Sequence, residues 1–168
     1  ALVGNTGINI TGGGTTTITG NAYAGRASGL NIKNSTLNFT GGYLICGGNL
    51  NLNIKSKGET GTLSAAQLEI GGSSQLWSDE IVLGNNATFN GAGAVNVKDD
   101  LTIEGDGSNA VLSGSYEGFG YEPKENATHY DSSAVIINGE KSTVTFSSSL
   151  SKLVVAGRSY IKFETSVP

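Results

Sequence analysis

Side chains able to do chemistry are sparse in this chain, and they gather in two places. The first is residues 115–133, Ser-Tyr-Glu-Gly-Phe-Gly-Tyr-Glu-Pro-Lys-Glu-Asn-Ala-Thr-His-Tyr-Asp-Ser-Ser, which hold three of the six tyrosines. Tyr116, Phe119, Tyr121 and Tyr130, beside Glu117 and Asp131, are the types that stack on sugar rings or anchor a protein partner. They are the candidate binding residues, although Tyr116, Phe119 and Tyr121 would serve equally to cover a thin core. His129 is the only histidine. Beside Asp131 it has the chemistry of a general acid–base or a metal ligand, but no partner motif accompanies it, and an exposed loop position is the plainer reading.

The second gathering is acidic: Asp99, Asp100, Glu104 and Asp106, closing on Asp106-Gly107-Ser108-Asn109. Oxygen ligands of this kind suit Ca²⁺, with Asp99, Asp100 and Asp106 as the candidate ligands. The spacing matches neither an EF-hand nor the Gly-Gly-x-Gly-x-Asp nonapeptide, so a solvated turn and no cofactor are expected. Paired carboxylates also cleave polysaccharides when held about 5–9.5 Å apart. A lyase would want a basic partner, and Arg26 and Arg158 are the only arginines. Arg158 reads more economically as a contact to a turn carbonyl or carboxylate. Cys46 stands alone, which excludes an intramolecular disulfide and a cysteine zinc site. Gly12-Gly13-Gly14 and Gly47-Gly48 precede no helix, so they are turns rather than phosphate loops. Thr15-Thr16-Thr17 is not repeated coil by coil as an ice-binding ladder would require.

The elements that must position these residues come from a repeat. Ile8-Asn9-Ile10, Leu30-Asn31-Ile32, Leu37-Asn38-Phe39, Leu50-Asn51-Leu52, Leu68-Glu69-Ile70, Val95-Asn96-Val97 and Leu101-Thr102-Ile103 share one form, apolar–other–apolar, followed by a turn. Strands this short are buried only if successive turns of chain stack on one another. The outer members of each triplet then point inward and the middle residue outward. Spacings of 6 to 8 residues between units, such as Leu30 to Leu37 and Val95 to Leu101, give three faces per coil. The expected fold is all-β, a single-stranded parallel β-helix, three-sided and right-handed, with regular coils over 1–114, an excursion over 115–133, final coils over 134–164 and the start of a linker at 165–168. Helical periodicity is missing; Leu63 to Leu68 is the best helical segment, and it is short.

Composition agrees. The 168 residues fit one domain. Gly is 26, apolar content 37% and charged content 14%, a profile of thin core and many polar turns. A net charge of −4 without a basic run removes the electrostatic footprint of a nucleic-acid binder, and no apolar stretch approaches the ~18 residues of a membrane span. With no Met, the chain reads as a segment of a larger exported protein.

Gly-Ser-Tyr-Glu-Gly-Phe-Gly-Tyr at 114–121, Asp-Ser-Ser-Ala-Val-Ile-Ile-Asn-Gly at 131–139 and Leu-Val-Val-Ala-Gly-Arg-Ser-Tyr-Ile at 153–161 resemble the PilX-like pilus-assembly proteins of Gram-positive bacteria. The likeness covers about the last third of the chain, and the pilin-type helix of that family is absent from this sequence. The resemblance implies a surface-exposed, minor-pilin-like role in a type IV pilus and carries over no catalytic residue. The expectation is a non-catalytic extracellular structural or adhesive domain on the bacterial cell surface, whose partners are other pilus or surface proteins or a glycan. The alternative from another class is a carbohydrate-active β-helix enzyme, lyase or glycoside hydrolase, using Asp and Glu on one face. A trimeric spike is a third reading.

Overall fold

The computed structural model describes residues 1–118, 120, 133–147, 149–155 and 160–162, and all regular structure among them is β-strand. The first coil runs through β1 (Leu2–Gly4), β2 (Gly7–Ile10) and β3 (Thr15–Ile18), the second through β4 (Ala22–Ala24), β5 (Gly29–Ile32) and β6 (Thr36–Phe39). The third holds β7 (Tyr43–Cys46), β8 (Leu50–Leu52) and β9 (Ala66–Ile70), the fourth β10 (Gln75–Ser78), β11 (Ile81–Leu83) and β12 (Ala87–Gly91). The fifth holds β13 (Ala94–Val97), β14 (Leu101–Ile103) and β15 (Asn109–Leu112), the sixth β16 (Ser115–Gly118), β17 (Ala134–Ile137) and β18 (Thr143–Phe146). β19 (Lys152–Val155) and β20 (Tyr160–Lys162) begin a seventh. The first strand of every coil joins one sheet, the second another and the third a third, giving parallel sheets of seven, seven and six strands. This is a three-sided parallel β-helix.

The triplet rule sets the core. On the second sheet Leu30, Leu50, Ile81, Leu101 and Val135 stack in register, and all are buried. On the third, Leu37, Leu68, Phe89 and Ala110 stack likewise. Large residues sit beside small ones. Phe89 stacks on Ala110 and lies near Gly91, where an added Cβ would come within 2.8 Å of Val95 Cγ2 and 3.0 Å of Leu112 Cδ2. A core one side chain thick leaves no room for error in volume.

Corners have their own rule. The residue two before the third-sheet register is left-handed in each coil that lacks an insertion there: Gly13 (φ 81), Asn34 (φ 52), Asn86 (φ 55), Gly107 (φ 67) and Lys141 (φ 55). Gly and Asn tolerate this conformation, whereas a Cβ-bearing lysine resists it. Serines follow three of these residues and stitch coils together. Ser35 Oγ accepts from Gly13 N at 3.1 Å, Ser108 Oγ from Ala87 N at 2.9 Å, and Ser142 Oγ from Ser108 N at 3.0 Å.

Two insertions break the period. Leu30 faces Leu50 and Ile81 faces Leu101, both 20 residues on, but Leu50 faces Ile81, 31 on, and Leu101 faces Val135, 34 on. The expected regular run over 1–114 is therefore interrupted at 53–65, because the next third-sheet strand begins only at Ala66. The segment Leu63 to Leu68 forms no helix: Leu63 is a buried anchor of the insertion and Ala66–Ile70 is strand β9. The second excursion starts later than the expected 115, since Ser115–Gly118 completes a rung on the first sheet. No helix among the described residues is long and apolar enough to cross a membrane.

Phe89→Ala is expected to cost about 3–5 kcal/mol of unfolding free energy, read from the denaturant midpoint, while Asn38→Ala on the outer face of the same sheet changes it by less than about 0.5 kcal/mol. Lys141→Gly, relieving a left-handed residue that costs about 1–2 kcal/mol, raises the midpoint; an unchanged or lower one would show that the corner is not strained.

Candidate functional site

Middle residues of the triplets do not hold the core, so their chemistry is free to differ from face to face. Of the expected binding residues, Tyr116 turns out to be a core residue. It stands on β16 between Val95 and Leu153, fully buried, with its ring edge-on to Phe146 at 5.9 Å. Burial above all, then the charge of Asp100, raises its phenol pKa against the opposing Ser133 hydroxyl. It is an inward position of the repeat and is withdrawn from any binding surface. Glu117 does face outward and pairs with Lys152 at 2.8 Å. Phe119, Tyr121, Tyr130, Asp131 and His129 lie outside the described residues, as does Arg158.

The acidic candidates are held apart by the fold. Asp99 and Asp100 form the corner before β14 and Asp106 the corner after it. Asp100 Oδ1 accepts from Ala134 N and Asp106 Oδ1 from Glu140 N, each at 2.8 Å, so both cap the coil above. Among the described residues no three His, Cys, Asp or Glu side chains converge to hold a metal ion. Asp79 and Glu80 stand one coil below Asp99 and Asp100 on the same corner. Glu80 has its pKa raised by burial, then by Asp99, Asp100 and Glu104, against a hydrogen bond from Asn49 Nδ2 at 3.0 Å. Cys46 is buried, and burial, helped by Asp79, pushes its thiol up to about 12, which removes it as a nucleophile.

The first sheet carries what the repeat pattern alone did not reveal. Val3, Tyr23, Ile45 and Trp77 occupy the outward position of four successive coils in direct register. Tyr43, two residues before Ile45, lies on the same face. All five are exposed, Tyr43 to 47% and Trp77 to 39%. Rungs about 4.8 Å apart make this a strip roughly 15 Å long. At its lower end Val3, Asn21, Tyr23, Tyr43 and Ile45 border a shallow apolar hollow of about 170 Å³. Trp77 Nε1 donates to Gln75 Oε1 at 3.4 Å. Above Trp77 the column turns polar, with Asn96 and Glu117 next in register. The signal was present in the sequence: Ala22-Tyr23-Ala24, Leu44-Ile45-Cys46 and Leu76-Trp77-Ser78 are triplets with a large apolar residue where others hold Asn or Thr.

On the second sheet the same positions hold asparagines in the first three coils, followed in register by Val82, Thr102 and Ile136. Asn51 Nδ2 donates to Asn31 Oδ1 at 2.9 Å, and Asn31 Nδ2 to Asn9 Oδ1 at 3.1 Å. The insertion over 53–65 leaves the end of β8, an interior strand of this sheet, and is tied down at both ends. Asn53, buried and left-handed at φ 60, donates through Nδ2 to Ser64 O at 2.9 Å and accepts from Asn34 N at 3.2 Å. Farther out, Glu59 closes a clasp, pairing with Lys33 and accepting from Ser56 N at 2.9 Å. The third sheet is mostly polar, with columns Thr17–Asn38–Glu69–Asn90–Val111–Thr145 and Thr36–Gln67–Thr88–Asn109.

The Lys33 hydrogen bond, then that of the Ser56 amide, holds the Glu59 carboxyl below the usual range. A depressed folded pKa means that the clasp stabilises above the unfolded carboxylate pKa and is lost as pH falls through the folded one. Protection of the Ser56 amide from hydrogen exchange, corrected for intrinsic rate, is expected to fall on acidification and to be low at every pH in Glu59→Ala, which has no acceptor. Protection that ignores both pH and the substitution would remove the clasp from the account.

Comparison with protein-family models, with curated proteins and with solved structures finds no match to this chain, so its functional reading rests on the chemistry of these three faces.

Proposed function

We propose that this chain is a non-catalytic extracellular domain that presents a binding surface from a rigid rod, a structural and adhesive part of a bacterial surface appendage. The observation that supports this most directly is the strip of Val3, Tyr23, Ile45 and Trp77 with Tyr43 beside it. Outward positions need only suit a strand; on the other two faces they are mostly polar, with single aliphatic residues such as Val82, Ile136 and Val111 and no aromatic ring among them. Contiguous exposed aromatics on a charge-poor surface mark a place where another molecule docks, and Tyr and Trp are the side chains that dominate such contacts. A flat row of rings along a sheet fits a flat partner: the face of a glycan, or the surface of another protein of the same appendage. Association with a pilus is the form of this reading that the likeness of residues 114–121, 131–139 and 153–161 supports.

A carbohydrate-active enzyme is the second reading. It draws on the corner where Asp79, Glu80, Asp99 and Asp100 stack and on the polar cleft of about 300 Å³ that Arg26, Asn49 and Asp79 border. Asp100 is occupied in capping a backbone amide, and this favours a structural use of that corner.

A glycan array and a polysaccharide-degradation screen, run on the wild type beside Tyr23→Ala/Tyr43→Ala/Trp77→Ala, test both readings. Binding without cleavage is expected, weakened about 30-fold or more in the triple variant, since truncating an aromatic anchor costs about 2 kcal/mol or more. Binding that survives in the triple variant would remove the strip as the site. Release of product would support the enzyme and overturn the non-catalytic reading.

A further inference from the structure

The groove on the second sheet is a separate built feature, independent of the aromatic strip. Its floor is the amide row of Asn9, Asn31 and Asn51, and its rim is Lys33 with Lys55 and Ser56 of the insertion; it encloses about 480 Å³. Three observations give it a chemical preference. First, the floor is ordered: each asparagine is fixed by its neighbour in the next coil, so amide groups repeat along the rod at the rung spacing of about 4.8 Å, comparable to the length of one hexose unit. Second, the wall is pinned rather than loose, by Asn53 at its base and the Lys33–Glu59 clasp beyond. Third, the charge is locally reversed. The whole chain carries a net charge of −4, yet the rim holds Lys33 and Lys55 beside a single carboxylate, Glu59, which pairs with Lys33, so that the Lys55 ammonium, donating to Gly61 O, is left without a carboxylate of its own among the described residues. Amides hydrogen-bond sugar hydroxyls in either sense. Asn31 spends both its Nδ2 hydrogens on Asn9 Oδ1 and Ser28 O, so in this row the end members supply the donors, Asn9 and Asn51 through Nδ2, and every member keeps an acceptor lone pair. An excess ammonium group adds attraction for an anion.

We infer that this groove binds a linear acidic oligosaccharide, its hydroxyls on the asparagine row and its anionic groups toward Lys55 and Lys33. The anion is a carboxylate or a sulfate ester, and the groove offers both the same partners.

Calorimetric titration of the full chain with an oligogalacturonide, with its neutral methyl ester and with a sulfated oligosaccharide of similar length tests this. Either acidic oligomer is expected to bind at low salt and to weaken as salt rises, and the tighter of the two identifies the anion. Lys55→Gln removes a charge, and Asn9→Asp keeps the acceptor for Asn31 while making the floor anionic; each should weaken acidic binding about ten-fold or more, as for loss of a charged hydrogen bond. Asn38→Asp, the same charge change on the third sheet, should leave it intact and so control for net charge. Failure of both acidic probes to bind, equal binding of the neutral ester, indifference to both groove variants, or equal loss in Asn38→Asp would overturn the inference.

Discussion

A strand of three or four residues cannot satisfy its own backbone. The strand amides and carbonyls of this chain find their partners one coil away, in parallel register, and the rest of the architecture follows from that demand. In-register stacking places identical positions of successive coils on top of one another. An inward leucine therefore meets another inward apolar residue, as Leu30 meets Leu50 and then Ile81. The core is a by-product of the hydrogen-bond ladder, one side chain thick, and it closes because large residues such as Phe89 stand over small ones such as Ala110.

The corners carry the constraint from sheet to sheet. Turning between two sheets within a few residues calls for a left-handed residue, and the column of Gly13, Asn34, Asn86 and Gly107 supplies it. The serines that follow return backbone donors to the ladder where strands end. Where extra chain is inserted, as over 53–65, the coil below and the coil above still pair directly. The insertion is extruded sideways and becomes a wall. The same stacking that makes the rod regular thus makes a groove beside the insertion over 53–65.

Outward positions are released from these duties. They can be aromatic along part of one face, amide along part of a second and mostly polar on a third without altering the fold, which is why the three faces of one rod differ. The buried Tyr116 and the inert Cys46 show the reverse case, chemically capable side chains spent on packing because they fall on inward positions.

The alternation of apolar residues within Leu30-Asn31-Ile32, Leu50-Asn51-Leu52 and their like determined, without coordinates, that the chain coils into parallel sheets, because period two over three residues has no other buried solution. It determined equally that Asn9, Asn31 and Asn51 face solvent. Which residues become neighbours across coils was not legible, because Tyr23, Ile45 and Trp77 lie 22 and 32 residues apart and meet only through the register of β4, β7 and β10. An unequal step is the signature of an insertion, and its length cannot be seen until both flanking strands are paired. Tyr116 illustrates the same limit: its residue type fits a binding loop or a core, and only the pairing of β16 with β13 turned it inward. Local pattern fixes which way a side chain points, while register, set by hydrogen bonds between residues distant in sequence, decides what stands beside it.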